Sequence, residues 1–108
     1  MGSYPKRRPK VSPPHPGEIL RDIYLHELGI SQTEFAKSLV KEYLRKKISI
    51  ATMQTKLNEV INKKRAISPE FAVLISKVLK TDPRMWLNLQ ATYDIWHVEE
   101  DFAIAADG

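Results

Sequence analysis

The chain has 108 residues, of which 43% are hydrophobic and 28% are charged, and its formal net charge is +4. This length and composition fit one ordinary globular domain with a single hydrophobic core. The chain has no cysteine, which excludes disulfide scaffolds, cysteine-ligated zinc and thiol catalysis. No apolar run approaches the ~20 residues of a membrane span, and the basic start does not lead into a secretory signal. We therefore expect a cytoplasmic protein that has no membrane partner.

Charge is distributed unevenly along the chain. Residues 1–10 carry +4 and residues 37–65 carry +7, whereas residues 11–36 carry −3 and residues 82–108 carry −5. This distribution suggests a polyanion as the partner of the basic centre, and it leaves room for a cationic partner at the acidic ends. The alternative is that the charges belong to ordinary solvated helix faces.

The chain divides into three segments. Residues 1–16 hold five of the seven prolines and four cations, so they are predicted to form an extended basic arm that packs little by itself. Residues 17–98 form the predicted folded domain. Residues 99–108 form a short acidic tail that we expect to fray.

Hydrophobic periodicity from Glu18 onward predicts an all-α domain of five helices. Gly29 ends the first helix as a left-handed cap, and the capping box Ser31-Gln32-Thr33-Glu34 opens the second, which is predicted to run to about Lys46. The predicted third helix runs from Ala51 or Thr52 to Ile61. The fourth and fifth begin at Ser68-Pro69 and Asp82-Pro83, because proline is favoured at the first helical position. The apolar residues predicted to face inward on the first two helices are Ile19, Leu20, Ile23, Tyr24, Leu28, Phe35, Ala36, Leu39, Val40, Tyr43 and Leu44.

Motifs for catalysis or cofactor binding are missing from the sequence. The three histidines (His15, His26 and His97) are far apart and do not have the spacing of metal ligands. There is no glycine-rich phosphate loop and no nucleophile elbow. The sequence therefore predicts a protein that is not an enzyme and needs no metal or cofactor.

The second and third helices have the arrangement of a helix-turn-helix. If Leu57 faces inward, the third helix turns Thr52, Thr55 and Lys56 outward and places Gln54 and Asn58 at the flanks. Amide and hydroxyl side chains can bind base edges, and the following cations Lys63, Lys64 and Arg65 suit phosphates. The alternative is that any solvated helix face carries such residues.

Four blocks of sequence share one family resemblance. They are His15-Pro16-Gly17-Glu18-Ile19-Leu20, Gly29-Ile30-Ser31-Gln32-Thr33-Glu34-Phe35-Ala36, Asn62-Lys63-Lys64-Arg65-Ala66-Ile67-Ser68-Pro69 and Trp86-Leu87-Asn88-Leu89-Gln90-Ala91-Thr92-Tyr93-Asp94. In this order they resemble the HigA-type antitoxins, formerly grouped as virulence-associated protein I, within the Xre-like helix-turn-helix class. The resemblance covers about residues 14–97. It implies a five-helix Xre/lambda-repressor-like helix-turn-helix domain, here with a lengthened second helix.

The resemblance implies a function and two macromolecular partners. Such a protein is a homodimer that blocks a RelE-like ribonuclease toxin and represses its own operon by binding palindromic double-stranded operator DNA. For this function we expect phosphate contacts from Ser31 and Gln32 at a helix N-terminus, base contacts from Thr52, Gln54, Thr55, Lys56 and Asn58, and backbone contacts from Lys63, Lys64 and Arg65. In a two-fold dimer, the two recognition helices would lie about 34–36 Å apart, or a multiple of that distance. The alternatives are a stand-alone transcriptional regulator and a protein-interaction module that no longer binds DNA.

Two departures from the family pattern affect the predicted DNA site. Residues Val40–Ile50 are an apparent insertion, which either adds phosphate contacts from Lys41, Arg45, Lys46 and Lys47 or spoils the angle between the helices. Lys63 stands where the family usually has glycine, and a lysine held at positive φ there would cost about 1 kcal/mol.

Two further features are open to two interpretations. The aromatic residues Trp86, Tyr93 and Trp96 either pack in the core and at a dimer seam or form an exposed anchor for the toxin. The basic arm is either a tail or a segment that enters a minor groove or becomes ordered on a partner.

Overall fold

The computed structural model describes residues 11–44 and 47–107, and these residues form helices and their connections. The five helices are α1 (residues 16–28), α2 (Gln32–Glu42), α3 (Ile50–Ile61), α4 (Pro69–Leu79) and α5 (Pro83–Asp107). The predicted fold class, an all-α domain of five helices, is confirmed. The cations expected in the arm (Lys6, Arg7, Arg8 and Lys10), together with Arg45 and Lys46, lie outside the described residues. Across the described ranges, no helix combines the length and the apolar character that crossing a membrane requires.

The first helix begins earlier than predicted, at Pro16, because a buried histidine caps it. The Nδ1 atom of His15 accepts a hydrogen bond from the amide of Gly17 at 2.9 Å, and the Glu18 carboxylate accepts one from the amide of His15 at 3.5 Å. The His15 side chain is almost completely buried, with its ring edge-on to Tyr93 at 4.9 Å. His15 and Pro16, assigned by the sequence to the arm, are therefore packed into the domain.

The middle of α1 is a π-helix over Leu20–Leu25, which the sequence analysis did not predict. The amide of His26 donates to the carbonyl of Arg21, five residues earlier, and this wider turn rotates the following residues relative to the core. Leu20 and Leu25 are buried, five positions apart, whereas Ile23 and Leu28 are half exposed. The predicted inward positions of Ile23 and Leu28 are wrong for this reason. Gly29 ends the helix at φ 65°, as predicted.

The second helix ends at Glu42, so its predicted continuation to about Lys46 is wrong. Tyr43 leaves the helix in an extended conformation, and its hydroxyl donates to the Glu70 carboxylate of α4 at 3.2 Å. This contact directs the chain out of the helical path, and Leu44, which was predicted to face inward, is exposed instead. The described residues 43–44 and 47–49 of the apparent insertion are therefore not helical.

Serine side chains begin α3 and α4. Ser49 Oγ accepts from the amide of Thr52 at 3.0 Å, and Ser68 Oγ accepts from the amide of Phe71 at 3.2 Å. Each hydroxyl satisfies an amide that has no partner within the helix. The α3 helix thus begins at Ile50, within two residues of its predicted start.

The core lies between α1, the inner faces of α2, α3 and α4, and the first half of α5. Its largest fully buried side chains are Trp86, Phe35, Leu20, Leu39, Met53, Leu57, Ile61 and Ile75. Of the two interpretations of the aromatic residues, core packing is correct for Trp86. Its indole donates to Thr81 Oγ1 at 2.9 Å. Tyr93 and Trp96 are half-buried and pack against His97, with ring centroids 4.3 and 5.0 Å away.

The last helix extends beyond its predicted end. It continues past Glu99 to Asp107, where we expected a fraying tail. The segment contains three alanines and no proline or glycine before Gly108, so local propensity favours helix over its whole length.

Candidate nucleic-acid interface

The N-terminus of α2 is connected to the polar face of α3 by side-chain hydrogen bonds. The Gln54 side-chain amide donates to Thr33 Oγ1 at 2.9 Å, and the Asn58 amide donates to Gln32 Oε1 at 3.5 Å. Below them, Phe35, Leu39, Met53 and Leu57 are completely buried. The longer connection therefore does not separate the two helices.

These contacts form the base of an open groove on the protein surface. The groove is lined by Gln32, Thr33, Ala51, Gln54, Thr55, Asn58 and Glu59. Most of these side chains are exposed or half-buried and carry amide or hydroxyl groups. Such groups both donate and accept hydrogen bonds, as reading base edges requires.

The two residues at the start of α2 keep donors for an anion. Ser31 forms the predicted capping box, with its hydroxyl accepting from the amide of Glu34 at 3.1 Å. Its hydroxyl proton is not used by that bond. Gln32 accepts from Asn58 with its oxygen, which leaves its NH₂ group to donate. Both groups stand at a helix N-terminus, where backbone amides and the helix dipole favour phosphate.

The other edge of α3 has a different environment. Thr52 is exposed, with its hydroxyl 2.9 Å from Ser49 Oγ. Lys56 is half-buried and lines a separate cavity together with Tyr43, Ile48 and Arg65. The structure thus brings Gln32, Gln54, Thr55 and Asn58 together in the groove, whereas Thr52 and Lys56 lie on the side toward the connection.

The turn after α3, residues 62–65, is called the basic turn below, and it contains the backbone strain that was predicted for Lys63. Lys63 has φ 64°, in the left-handed region that favours glycine. Its ammonium lies 3.5 Å from the Glu18 carboxylate of α1. The Arg65 guanidinium also forms an ion pair, with Glu59 at 2.7 Å. Two of the three cations predicted to contact phosphates, Lys63 and Arg65, are thus already paired with carboxylates. Lys64 is exposed.

The pairing of Arg65 with Glu59 has an electrostatic effect on the groove. A free carboxylate beside this groove would repel an anion. Arg65 offsets the charge of Glu59 at short range. The sequence does not predict this pair, because a spacing of six residues across a helix end has no periodic signature.

A buried glutamine fixes the far end of the basic turn. The Gln90 side chain of α5 accepts a hydrogen bond from the amide of Ile67 at 2.9 Å and donates to Asp94 at 3.0 Å. The turn is therefore held by α1 through Lys63 and by α5 through Gln90. Thr33 was likewise not predicted as a site residue, although its place within the Ser31–Glu34 capping box locates it at the exposed start of α2.

The site is polar and lacks the groups of a metal centre. Among the residues the structure describes, no three histidine or carboxylate side chains come together as metal ligands would. Hydrogen-bonding side chains on one helix, supported by a second helix whose N-terminus points to the same surface, define a helix-turn-helix protein.

Comparison with known proteins supports this class. Virulence-associated protein I of Dichelobacter nodosus is 30% identical over 99 residues, which are 92% of this chain and 82% of that protein. The structure is similar to that of the Pseudomonas aeruginosa antitoxin HigA with the higBA promoter, with a TM-score of 0.69 and 31% identity, covering 87% of this chain and 90% of the other. It is also similar to an addiction module antidote protein of a HigA family from Coxiella burnetii, with a TM-score of 0.71 and 28% identity over 90% of this chain and 94% of the other. No family model matches the chain.

The chain belongs to the family of HigA-type helix-turn-helix antitoxins and regulators that includes virulence-associated protein I. The family resemblance predicted from the four sequence blocks is thereby confirmed. Its members are antitoxins and transcriptional regulators, which are not enzymes.

Proposed function

We propose that this chain is the cytoplasmic antitoxin of a type II toxin–antitoxin module, which binds its own operator and neutralises a RelE-like ribonuclease. The observation that carries the DNA-binding part is the groove, in which Gln54 and Asn58 are held against the start of α2. Preorganised amides bind base edges without first losing side-chain freedom. The presence of the higBA promoter in the structure of the Pseudomonas aeruginosa relative supports the same role.

The ten predicted DNA contacts divide into groups with different expected roles. Ser31, Gln32 and Lys64 contact phosphates, and Gln54, Thr55 and Asn58 contact bases. Thr52 and Lys56 reach DNA at the side of the connection between α2 and α3. Lys63 and Arg65 reach phosphates only if they exchange their carboxylate partners Glu18 and Glu59. We therefore expect Lys63 and Arg65 to contribute less per charge than Lys64.

DNA binding is tested by fluorescence anisotropy with a fragment of the promoter upstream of this gene and a scrambled fragment across a salt series. Lys64→Ala is expected to reduce the slope of log K against log salt by about 1 on both fragments, because one phosphate contact is lost. Lys77→Ala, which removes an exposed lysine from α4, is the matched control and should leave the slope unchanged.

Sequence recognition is tested in the same assay. Gln54→Ala should weaken promoter binding by about 1–3 kcal/mol, the usual value of a specific side-chain contact to a base, and should affect the scrambled fragment much less. Asn88→Ala, an exposed amide on α5, is its control. Equal affinity of the wild-type protein for the two fragments would contradict the repressor function.

The proposed dimer uses the face of α5 that points away from the core. Ile95, Val98 and Phe102 are 54%, 51% and 72% exposed, and at 100° per residue they lie opposite Trp86 and Tyr93. An apolar stripe at this spacing is suited to pairing with another helix. A second copy of the chain is the proposed occupant, because a two-fold dimer presents two recognition helices to a palindromic operator.

The proposed toxin partner is supported by family membership and by the acidic ends of the chain, residues 11–36 and 82–108. The test is to co-express the chain with the product of the neighbouring reading frame and to measure cleavage of ribosome-bound messenger RNA. Neutralisation predicts a stable complex and loss of cleavage at equimolar chain. If the neighbouring product neither binds the chain nor cleaves RNA, the antitoxin function is contradicted and the alternative, a stand-alone regulator, is favoured.

A further inference from the structure

Glu59 lines the groove beside the predicted DNA contacts, although it was not itself predicted as a site residue. It lies one turn after Thr55 on α3, and both side chains line the groove. Residues four apart are neighbours on one face of a helix. At 100° per residue, Thr55 and Glu59 lie on the side of α3 opposite the buried Leu57. They therefore form the part of α3 that points most directly away from the core.

The hydrogen bonds within the protein leave only acceptors at these two positions. The Thr55 hydroxyl donates to the carbonyl of Ala51 at 3.1 Å, so its oxygen keeps lone pairs and no free proton. Arg65 contacts a single oxygen of Glu59, Oε1, through Nε at 2.9 Å and Nη2 at 2.7 Å. Among the described residues, no group donates to the other oxygen, Oε2. Thr55 and Glu59, called the acceptor pair below, thus offer the groove no donor.

Gln54 and Asn58, on the adjacent side of α3, have a different hydrogen-bonding capacity. One N–H group of Gln54 donates to Thr33, and one of Asn58 donates to Gln32. Each amide keeps a second N–H group and a carbonyl oxygen. These two residues can therefore both donate and accept, whereas the acceptor pair can only accept.

A pure acceptor distinguishes among the base edges of the major groove, where a recognition helix lies. Cytosine presents only a donor there, its N4 amino group, whereas guanine presents the acceptors N7 and O6. Thymine presents an acceptor and a methyl group, and adenine presents the acceptor N7 beside its amino group. Two acceptors that face each other have no hydrogen to share, and both lose their water. The acceptor pair therefore matches cytosine and opposes guanine and thymine.

We propose that Glu59 sets the base specificity of one operator position, where its Oε2 accepts a hydrogen bond from the N4 amino group of a cytosine. This inference rests on the proposed operator binding and names one base that the protein recognises. Arg65 holds Oε1 and leaves Oε2 available, so it orients the carboxylate and offsets its charge at the same time. Beside guanine or thymine the carboxylate is desolvated without a donor. Glu59 thus weakens binding to most sequences and favours the matched one.

The test is to measure the affinity of the full-length protein for promoter fragments from upstream of this gene in which each base pair is replaced in turn. At one position of each half-site, the wild type should prefer cytosine by about fivefold or more, the lower end of what a specific base contact contributes. Glu59→Gln should lose this preference at that position alone, because an amide also donates to guanine or thymine. Asp101→Asn, which removes an exposed carboxylate from α5, is the control and should keep it.

Binding to a scrambled fragment gives a second readout. Glu59→Gln should bind it more tightly than the wild type does, and the slope of log K against log salt should steepen by about 1, because Arg65 becomes free to reach a phosphate. An unchanged slope would contradict the opposing effect of Glu59 on unmatched DNA.

The two proposals fail in different ways. If the wild type selects the promoter but has no cytosine preference that Glu59→Gln removes, the role of Glu59 is overturned while operator binding stands. If the wild type binds every fragment equally, the operator function itself is contradicted, and the role of Glu59 is overturned with it.

Discussion

At the scale of single residues, two lysines hold the chain in left-handed backbone at the ends of helices. Lys63 follows α3 at φ 64°, and Lys80 ends α4 at φ 60°. A side chain with a Cβ atom is strained in this region, so each lysine reduces the stability of the fold. The family pattern predicted this for Lys63, because glycine is the usual residue there. For Lys80, the sequence contained only the Asp82-Pro83 start of the next helix.

Replacing Lys80 by glycine should stabilise the protein. Lys80→Gly is expected to raise the free energy of unfolding by about 1 kcal/mol, measured by urea denaturation. Lys77→Gly, one turn earlier within α4, should lower it by about the same amount, because glycine is unfavourable inside a helix. Lys63→Gly should raise the free energy of unfolding less than Lys80→Gly does, since it also removes the ion pair with Glu18. A destabilising Lys80→Gly would contradict this account of the strain.

His15 should make stability depend on pH. Burial lowers the pKa of His15 below its ordinary value of 6.5, although Asp94 and Glu18 act in the opposite direction. Its Nδ1 atom must stay unprotonated to accept from the amide of Gly17, so the folded state favours the neutral ring. The unfolded chain takes up this proton more readily, and stability is therefore lost as the pH falls from 6.5 to the lowered folded-state pKa.

The measurement is the free energy of unfolding of the wild type and of His15→Asn between pH 7.5 and pH 5.5. Asparagine keeps a capping oxygen but does not titrate. The variant should be less stable overall, because it loses the ring contact with Tyr93, and its stability should change less over this range. An identical pH dependence of the two proteins would assign the effect to other groups.

At the scale of elements, the contact between α1 and α3 leaves no room for a side chain at Gly17. A methyl group added at Gly17 would overlap the carbonyl of Val60 and approach the backbone of Ile61. These are the last residues of α3. The start of α1 can therefore lie against the end of α3 only where there is no side chain.

Gly17→Ala should affect both stability and DNA binding. Because the overlap is with backbone, α3 must shift, and we expect a loss of about 1–3 kcal/mol in unfolding free energy together with weaker promoter binding. Gly29→Ala is the control, since its added methyl would meet nothing within 4 Å and its cost is only the positive φ, about 1 kcal/mol. Gly29→Ala should leave promoter binding unchanged. Equal DNA affinity of both variants would show that this contact does not position α3.

A helix boundary could be predicted from the sequence when the interactions that set it are between residues close together in the chain. The caps at Ser31, Ser68 and Gly29 are local and were predicted correctly. The end of α2 depends on a hydrogen bond from Tyr43 to a helix 27 residues away, so local periodicity placed it incorrectly. The π-helix has no residue signature, and it changed which side chains of α1 are buried.

The candidate interface was predictable to a similar extent. Periodicity along α3 correctly placed Thr55 and Asn58 on a polar surface. Periodicity could not distinguish the two edges of that surface, because they differ in the residues that pack beside them. Thr33 lies beside one edge, and Tyr43 and Ile48 lie beside the other. Likewise, the ion pairs of Lys63 and Arg65 depend on how α1 and the turn approach α3.

At the scale of the whole molecule, α5 has two apolar faces. One contains Trp86 and belongs to the core, and the other exposes Ile95, Val98 and Phe102. In the proposed dimer, Phe102→Lys should shift the protein toward the monomer in sedimentation experiments, because it places a charge in an apolar seam. Ile104→Lys changes a similarly exposed residue on a different face of the same turns and should leave the dimer intact. If neither substitution changes the mass, the seam lies elsewhere.

In the proposed dimer, this double use of α5 would link association to folding. A helix that completes the core of one chain while pairing with another makes the apparent melting temperature rise with protein concentration. Chains made at low concentration would then spend more time open than chains in a large pool, and cellular proteases act on the open population. The supply of the protein would thus influence its own lifetime, with a threshold set by the dimer dissociation constant.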